Sequence, residues 1–262
     1  MNAQTRRASA AAVLAAAVVV GAACGGPDPA VDAGPPTTRA SASASASPSS
    51  PVAAAPPEAE TTPVSTPPLE RSLFAAVRAD DADAVRAALA GGAALEARGD
   101  GGQTPLVAAA KANAVTAARV LVTAGADVNA KDDMEDSAFL YAGAEGRDEI
   151  LALTLAHGAD VSATNRFGGT ALIPAAEHGH VETVRTLIRA GVPVDHVNEP
   201  GWTALLEAVV YGDGSARYQD VVGQLLAAGA DRSIGDADGR TALQHAQRRG
   251  QEEVAALLRD GR

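Results

Sequence analysis

The sequence predicts an all-α solenoid of stacked helix-turn-helix units, preceded by a long disordered N-terminal region. Three observations predict it. After residue 69 the chain repeats itself with a step of 33 residues, a period typical of repeat architectures. Within those repeats alanine recurs in register, as close helix packing requires. Before them the composition is that of a tether: eleven of the 15 prolines lie between Gly25 and Leu69. With 47% apolar residues and a net charge of -11, the chain is neither a polytopic membrane protein nor a basic binder of nucleic acid.

Residues 1–23 read as a secretory signal peptide. Arg6 and Arg7 precede an apolar run from Ala8 to Ala23 that ends in small residues, too short for a membrane span of roughly 20. Gly21-Ala22-Ala23-Cys24 resembles the bacterial lipobox, although Gly21 stands where that motif usually has Leu. Cys24, the only cysteine, is therefore expected to carry a lipid and to hold the chain at the outer face of a bacterial cytoplasmic membrane. Ordinary cleavage and secretion is the alternative. Residues 24–69, rich in Pro, Ala and Ser, form the linker, whose reach as a flexible coil is about 40 Å.

Six units fill residues 70–262, starting near 71, 104, 137, 170, 203 and 241. Two positions after each start stand Leu73, Leu106, Phe139, Leu172, Leu205 and Leu243, and five after stand Ala76, Ala109, Ala142, Ala175, Ala208 and Ala246. Nine after come Asp80, Asn113, Gly146, Gly179, Gly212 and Gly250, residue types that tolerate a left-handed helix terminus. A second apolar stretch follows, closing at Gly92, Gly125, Gly158, Gly191 and Gly229. Each unit is thus helix, tight turn, helix and loop.

Gly101-Gly102-Gln103-Thr104-Pro105-Leu106, Ala124-Gly125-Ala126-Asp127-Val128-Asn129-Ala130 and Gly168-Gly169-Thr170-Ala171-Leu172 resemble the ankyrin repeat, and the resemblance covers the chain after the linker. It implies that the Thr hydroxyl caps the first helix and that a β-hairpin finger projects at right angles to the helices. In unit three Glu135 replaces the finger glycine and Ser137 the Thr, so a distorted or mobile finger is expected. Units one and six carry polar residues, among them Arg71, Gln247 and Arg248, that suit solvent-facing ends of a stack. Unit five is five residues longer, around Gly212 to Asp220. That insertion is either a tolerated loop or a second contact site with Asp213, Arg217 and Tyr218 as handles.

No catalytic constellation emerges, and no cofactor or metal is expected. Gly214-Ser215 lacks the nucleophile-elbow pattern, His178 and His180 suit a structural turn, and Asp236-Ala237-Asp238-Gly239 lacks the downstream Glu of a calcium loop. The acidic run Asp132, Asp133, Glu135 and Asp136 reads as a solvated finger tip. The chain is read as a monomeric, non-enzymatic protein-binding module. The ankyrin resemblance places its partner surface on the finger tips and exposed first helices: Asp133, Met134, Asp136, Arg166, Phe167, Glu177, His178, Trp202, Tyr211 and Arg240. Three of the chain's seven aromatic residues fall in this set, as anchors ringed by charge. An immunity or inhibitor role against a toxin or lytic enzyme at the envelope is the alternative function, its acidity then steering a basic target.

Overall fold

A computed structural model describes residues 67–260. The expected signal peptide, Cys24 and the linker up to residue 66 lie outside the described residues. The described residues form twelve α-helices: α1 (Pro67–Arg78), α2 (Ala82–Ala90), α3 (Pro105–Ala112), α4 (Val115–Thr123), α5 (Ala138–Ala144), α6 (Asp148–Ala156), α7 (Leu172–Glu177), α8 (Val181–Ala190), α9 (Ala204–Val210), α10 (Ala216–Ala227), α11 (Ala242–Arg248) and α12 (Glu252–Asp260). Each unit contributes one odd and one even helix, as the 33-residue step predicts. One boundary moves. Pro67, Pro68 and Leu69, expected to be linker, form the first turn of α1, where the missing proline N–H groups would have had no intrahelical acceptor.

The odd helices pack in one row, each on the next, and the even helices in a second. A single apolar core runs along both rows. Its odd-helix wall is the alanine column: Ala109, Ala142, Ala175 and Ala246 are fully buried and Ala76 and Ala208 nearly so. The approach is close. A Cβ added to Gly143 on α5 would lie 2.7 Å from the Cβ of Ala171, at the head of α7. Leucines and valines of the even helices, such as Leu121, Leu187 and Leu225, fill the space behind.

The predicted caps form at four of the five starts that carry Thr or Ser. Thr104, Ser137 and Thr203 each accept a hydrogen bond from the backbone N–H three residues on, at 3.2 Å, and Thr241 makes a reciprocal capping box with Gln244. Unit four departs. Pro174 has no N–H to give the Thr170 carbonyl, so Ile173 donates to it instead at 3.2 Å, α7 begins a residue late, and the buried Thr170 hydroxyl has no partner. Thr203→Val is therefore expected to cost about 1 kcal/mol in urea denaturation, and Thr170→Val to be neutral or stabilising.

The fingers are hairpin turns rather than laddered strands; a lone bridge, Gly235 to Thr241, is the β pairing among the described residues. Each turn is closed by two backbone hydrogen bonds, such as Asn165 N to Gly169 O and Gly168 N to Asn165 O, both 2.9 Å. Five residues before the start, the side chains of Asp132, Asn165, Asn198 and Asp236 accept from backbone N–H groups inside the turn. Unit three keeps these bonds, so its finger is not distorted as expected. Glu135 takes up the left-handed conformation, φ 61°, that glycine supplies in the other fingers. Such a conformation costs roughly 1–2 kcal/mol in a residue with a side chain. Glu135→Gly is expected to raise stability by about 0.5–1 kcal/mol, the rest being offset by glycine's unfolded entropy; chemical denaturation checks it.

The five inserted residues of unit five divide between loop and helix. The start of α10 is delayed by two, and α10 has 12 residues where its counterparts have nine or ten. The left-handed turn position moves accordingly, from the expected Gly212 to Gly214, φ 74°.

A candidate protein-binding groove

The fingers and odd helices of units three to five enclose a groove of about 440 Å³. Of the residues expected to bind a partner, Asp136, Arg166, Phe167, Glu177, His178 and Tyr211 line it together. Phe167 projects from its finger because the Asn165 side chain accepts from its N–H at 2.9 Å and fixes the turn. Phe167 is 50% exposed, with the Arg166 guanidinium 4.5 Å from the centre of its ring. Tyr211 ends α9 and is 57% exposed. Behind it Trp202 is half-buried, its ring 6.3 Å from that of Tyr211 and 6.1 Å from His245, so it buttresses the rim more than it offers a contact.

The other expected residues fall outside the groove. Met134 is exposed on its finger but does not line it. Asp133 donates its backbone N–H to the Gly101 carbonyl at 3.0 Å, joining two fingers. Arg240 pairs with Asp238 on the last finger. Asp132, expected in a solvated tip, is buried. Burial would raise its carboxyl, but the Lys111 ammonium and the backbone N–H groups of Asp136 and Met134 outweigh this and hold it below the ordinary range.

The insertion needs a correction as well. Tyr218, expected as a contact handle, points inward. Its hydroxyl donates to the Glu177 carbonyl at 2.9 Å and its ring covers Gly179 and Gly212, because the added helical turn of α10 carries it over the neighbouring unit. Arg217 stays exposed with its guanidinium 4.9 Å from the Tyr218 ring. Asp213 accepts from Ser215 N at 3.0 Å, and the Ser215 hydrogen bonds hold its carboxyl below the ordinary range. His178 and His180 serve the turns, as expected: His178 meets the Ala144 carbonyl at 2.9 Å and His180 lies against Gly146.

Glu207 on α9 is the groove residue that sequence reasoning missed. It is 7% exposed and shares the groove with Glu177 on α7. Burial pushes its carboxyl up to about 7, the Glu177 charge adds to the rise, and a hydrogen bond from Asn198, 3.4 Å from Oε1, opposes it. Burial and the same two glutamates raise the Tyr211 hydroxyl. A signal was present. Four residues after the starts stand Ala75, Ala108, Tyr141, Pro174, Glu207 and His245, a column far too varied to be part of the core. Among the described residues no three His, Cys, Asp or Glu side chains converge as metal ligands, and no helix is long and apolar enough to cross a membrane.

Comparison with known proteins agrees with this geometry. The family model described as ankyrin repeats (3 copies) matches residues 66–132 and 139–233. The crystal structure of an ankyrin repeat domain from Acinetobacter baumannii AYE is 54% identical, covers 72% of this chain and 96% of its own, and superposes with a TM-score of 0.70. That of the ankyrin repeat protein EF0377 is 40% identical, covers 72% and 97%, and gives a TM-score of 0.69. A segment of 36 residues is 69% identical to a protein of Leifsonia xyli subsp. xyli named as an ankyrin-containing lipoprotein; it spans 14% of this chain and 14% of that relative.

Proposed function

The chain belongs to the ankyrin repeat family, whose arrays are protein-protein interaction modules, and from that premise we propose that it is a non-enzymatic binding protein of the bacterial cell envelope. Cys24 carries the lipid, the linker supplies reach, and the rigid array offers its groove to an envelope or secreted protein. The observation that carries this reading is the convergence of Phe167, Tyr211, Arg166, Glu177 and His178, from two consecutive units, on one open groove. Two half-exposed rings surrounded by charge are the anchors from which protein interfaces draw most of their energy. Little entropy is lost by a scaffold already ordered through its core. The partly homologous lipoprotein supports the anchor.

The test is site-specific photo-crosslinking in intact cells. A crosslinker at Phe167 or Tyr211 should capture a discrete protein, one at Arg119 on an even helix should not, and the double variant Phe167→Ala, Tyr211→Ala should weaken capture tenfold or more. Equal capture from Arg119 would place the partner elsewhere. Cys24→Ser should release the chain from the membrane fraction.

A further inference from the structure

The groove holds a feature that protein binding in general does not explain. Glu207 is buried to more than nine-tenths beside a second carboxyl, Glu177, and among the described residues neither has an ion-pair partner. The groups that face Glu207 are few. From the end of α7 and its cap come Glu177 and His178, from the unit-five finger Asn198, and from the cap of its own helix Tyr211. On the α11 side His245 is engaged by Asp236 at 2.7 Å, and the Arg166 guanidinium lies on the Phe167 ring. A buried carboxyl without a cation costs stability. In the stack this one holds together nothing that a neutral side chain could not hold: the hydrogen bond it accepts from Asn198 is a long 3.4 Å.

We propose that the groove is a receptor for one basic side chain, lysine or arginine, of the protein partner, with the carboxyls of Glu207 and Glu177 at its floor and the rings of Phe167 and Tyr211 at its rim. This rests on the reading of the groove as the partner surface. The chemistry is complementary at each level. The floor offers two carboxylates to an ammonium or a guanidinium, bidentate in the latter case. The rim offers the half-exposed Tyr211, and Phe167 with Arg166 already over its ring, and an aromatic face attracts a cation within about 6 Å of its centre. A volume of about 440 Å³ admits a long side chain and some of its backbone, and the net charge of -11 draws a basic partner in. When the cation enters near neutral pH, Glu207 gives up its proton to solvent and becomes the counter-ion. Two carboxylates without a third ligand suit a multi-donor organic cation better than a divalent metal.

The single tryptophan reports on the rim, since Trp202 touches Tyr211. The full chain is titrated with acetyl-Gly-Arg-Gly-amide and its lysine counterpart, followed by Trp202 fluorescence, with the citrulline peptide as uncharged control. Saturable binding is expected for both basic peptides, roughly ninefold weaker at pH 6 than at pH 8, because a carboxyl titrating at about 7 is one-tenth and nine-tenths ionised there. Citrulline should bind tenfold more weakly or not at all, and Glu207→Gln should abolish the pH dependence along with most of the affinity. Equal binding of citrulline, or unchanged binding to Glu207→Gln in a variant that stays folded, overturns the proposal. Partner capture in cells separates it from the function it rests on. Capture sensitive to Phe167→Ala but indifferent to Glu207→Gln leaves the module standing and removes the receptor. Peptide binding as expected with no protein crosslinked from Phe167 does the reverse.

Discussion

Ala175→Leu is expected to lower the melting temperature by about 6–12 °C, the largest loss from any one substitution of the alanine column at mid-stack. Ala175 is fully buried on α7, between α5 and α9. Around it the odd helices are so near that a methyl group on Gly143 would already clash with Ala171. Three further carbons have little room, because the same column position on α5 and on α9 is also alanine, with no rotamer to change. Overpacking of this kind costs up to about 3 kcal/mol, and for a domain of this size each kcal/mol is worth about 2–4 °C. Ala75→Leu, on the exposed side of α1, is the control and should melt like the native chain. A thermal scan by circular dichroism distinguishes the two. If Ala175→Leu also melts unchanged, the close stacking argued from the column is wrong.

Glu207→Gln is expected to stabilise the array at pH 8 and to leave it unchanged at pH 4. The folded carboxyl titrates at about 7 against an ordinary 4.5, so the fold favours the protonated form. Its contribution is fully present below pH 4.5 and is lost as pH rises through about 7, after which the penalty of the buried charge is constant. The interval from 4.5 to about 7 sets an upper limit of about 3 kcal/mol. The groove is open to solvent on one side, and screening brings the expected gain to about 1–2 kcal/mol. Glutamine keeps the shape and the bond to Asn198 but cannot ionise. Urea denaturation at pH 4, 6 and 8 reads the difference between native and variant chains. A gap that is the same at all three values would mean that Glu207 is not the group that titrates.

Much of this architecture was legible in the sequence, and the reason is the period. A 33-residue step with aligned Leu, Ala and Gly columns dictates helix pairs, their order and the buried wall, because each column serves the same contact in each unit. Phe167 and Tyr211 could be placed on one face by counting from the starts. What could not be counted was anything set by sideways contact between units. The unusual acidity of Glu207 depends on Glu177, thirty residues earlier and brought alongside only by stacking. Tyr218 faces inward because three of the five inserted residues lengthen α10 instead of its loop, a division that no column records. Asp132 looked like part of an acidic tip because its ion pair, Lys111, lies in the previous unit. Thr170 shows the converse. Its failure to cap could have been anticipated from Pro174 four residues on, a local effect within reach of sequence reasoning.

The way the fingers are held has a consequence for how such a surface changes over time. The hairpins depend on their backbone bonds, in units three to six on the Asn or Asp five residues before the start, and on the left-handed residue two before it. Neighbouring fingers are joined by main chain to main chain, as in Asp133 to Gly101 and Glu199 to Phe167. The side chains at the two intervening tip positions, such as Arg166 and Phe167, take no part in that framework. Architecture and specificity are thus inscribed at different addresses in the repeat. The tips can be rewritten for a new client while the scaffold that presents them is inherited unaltered.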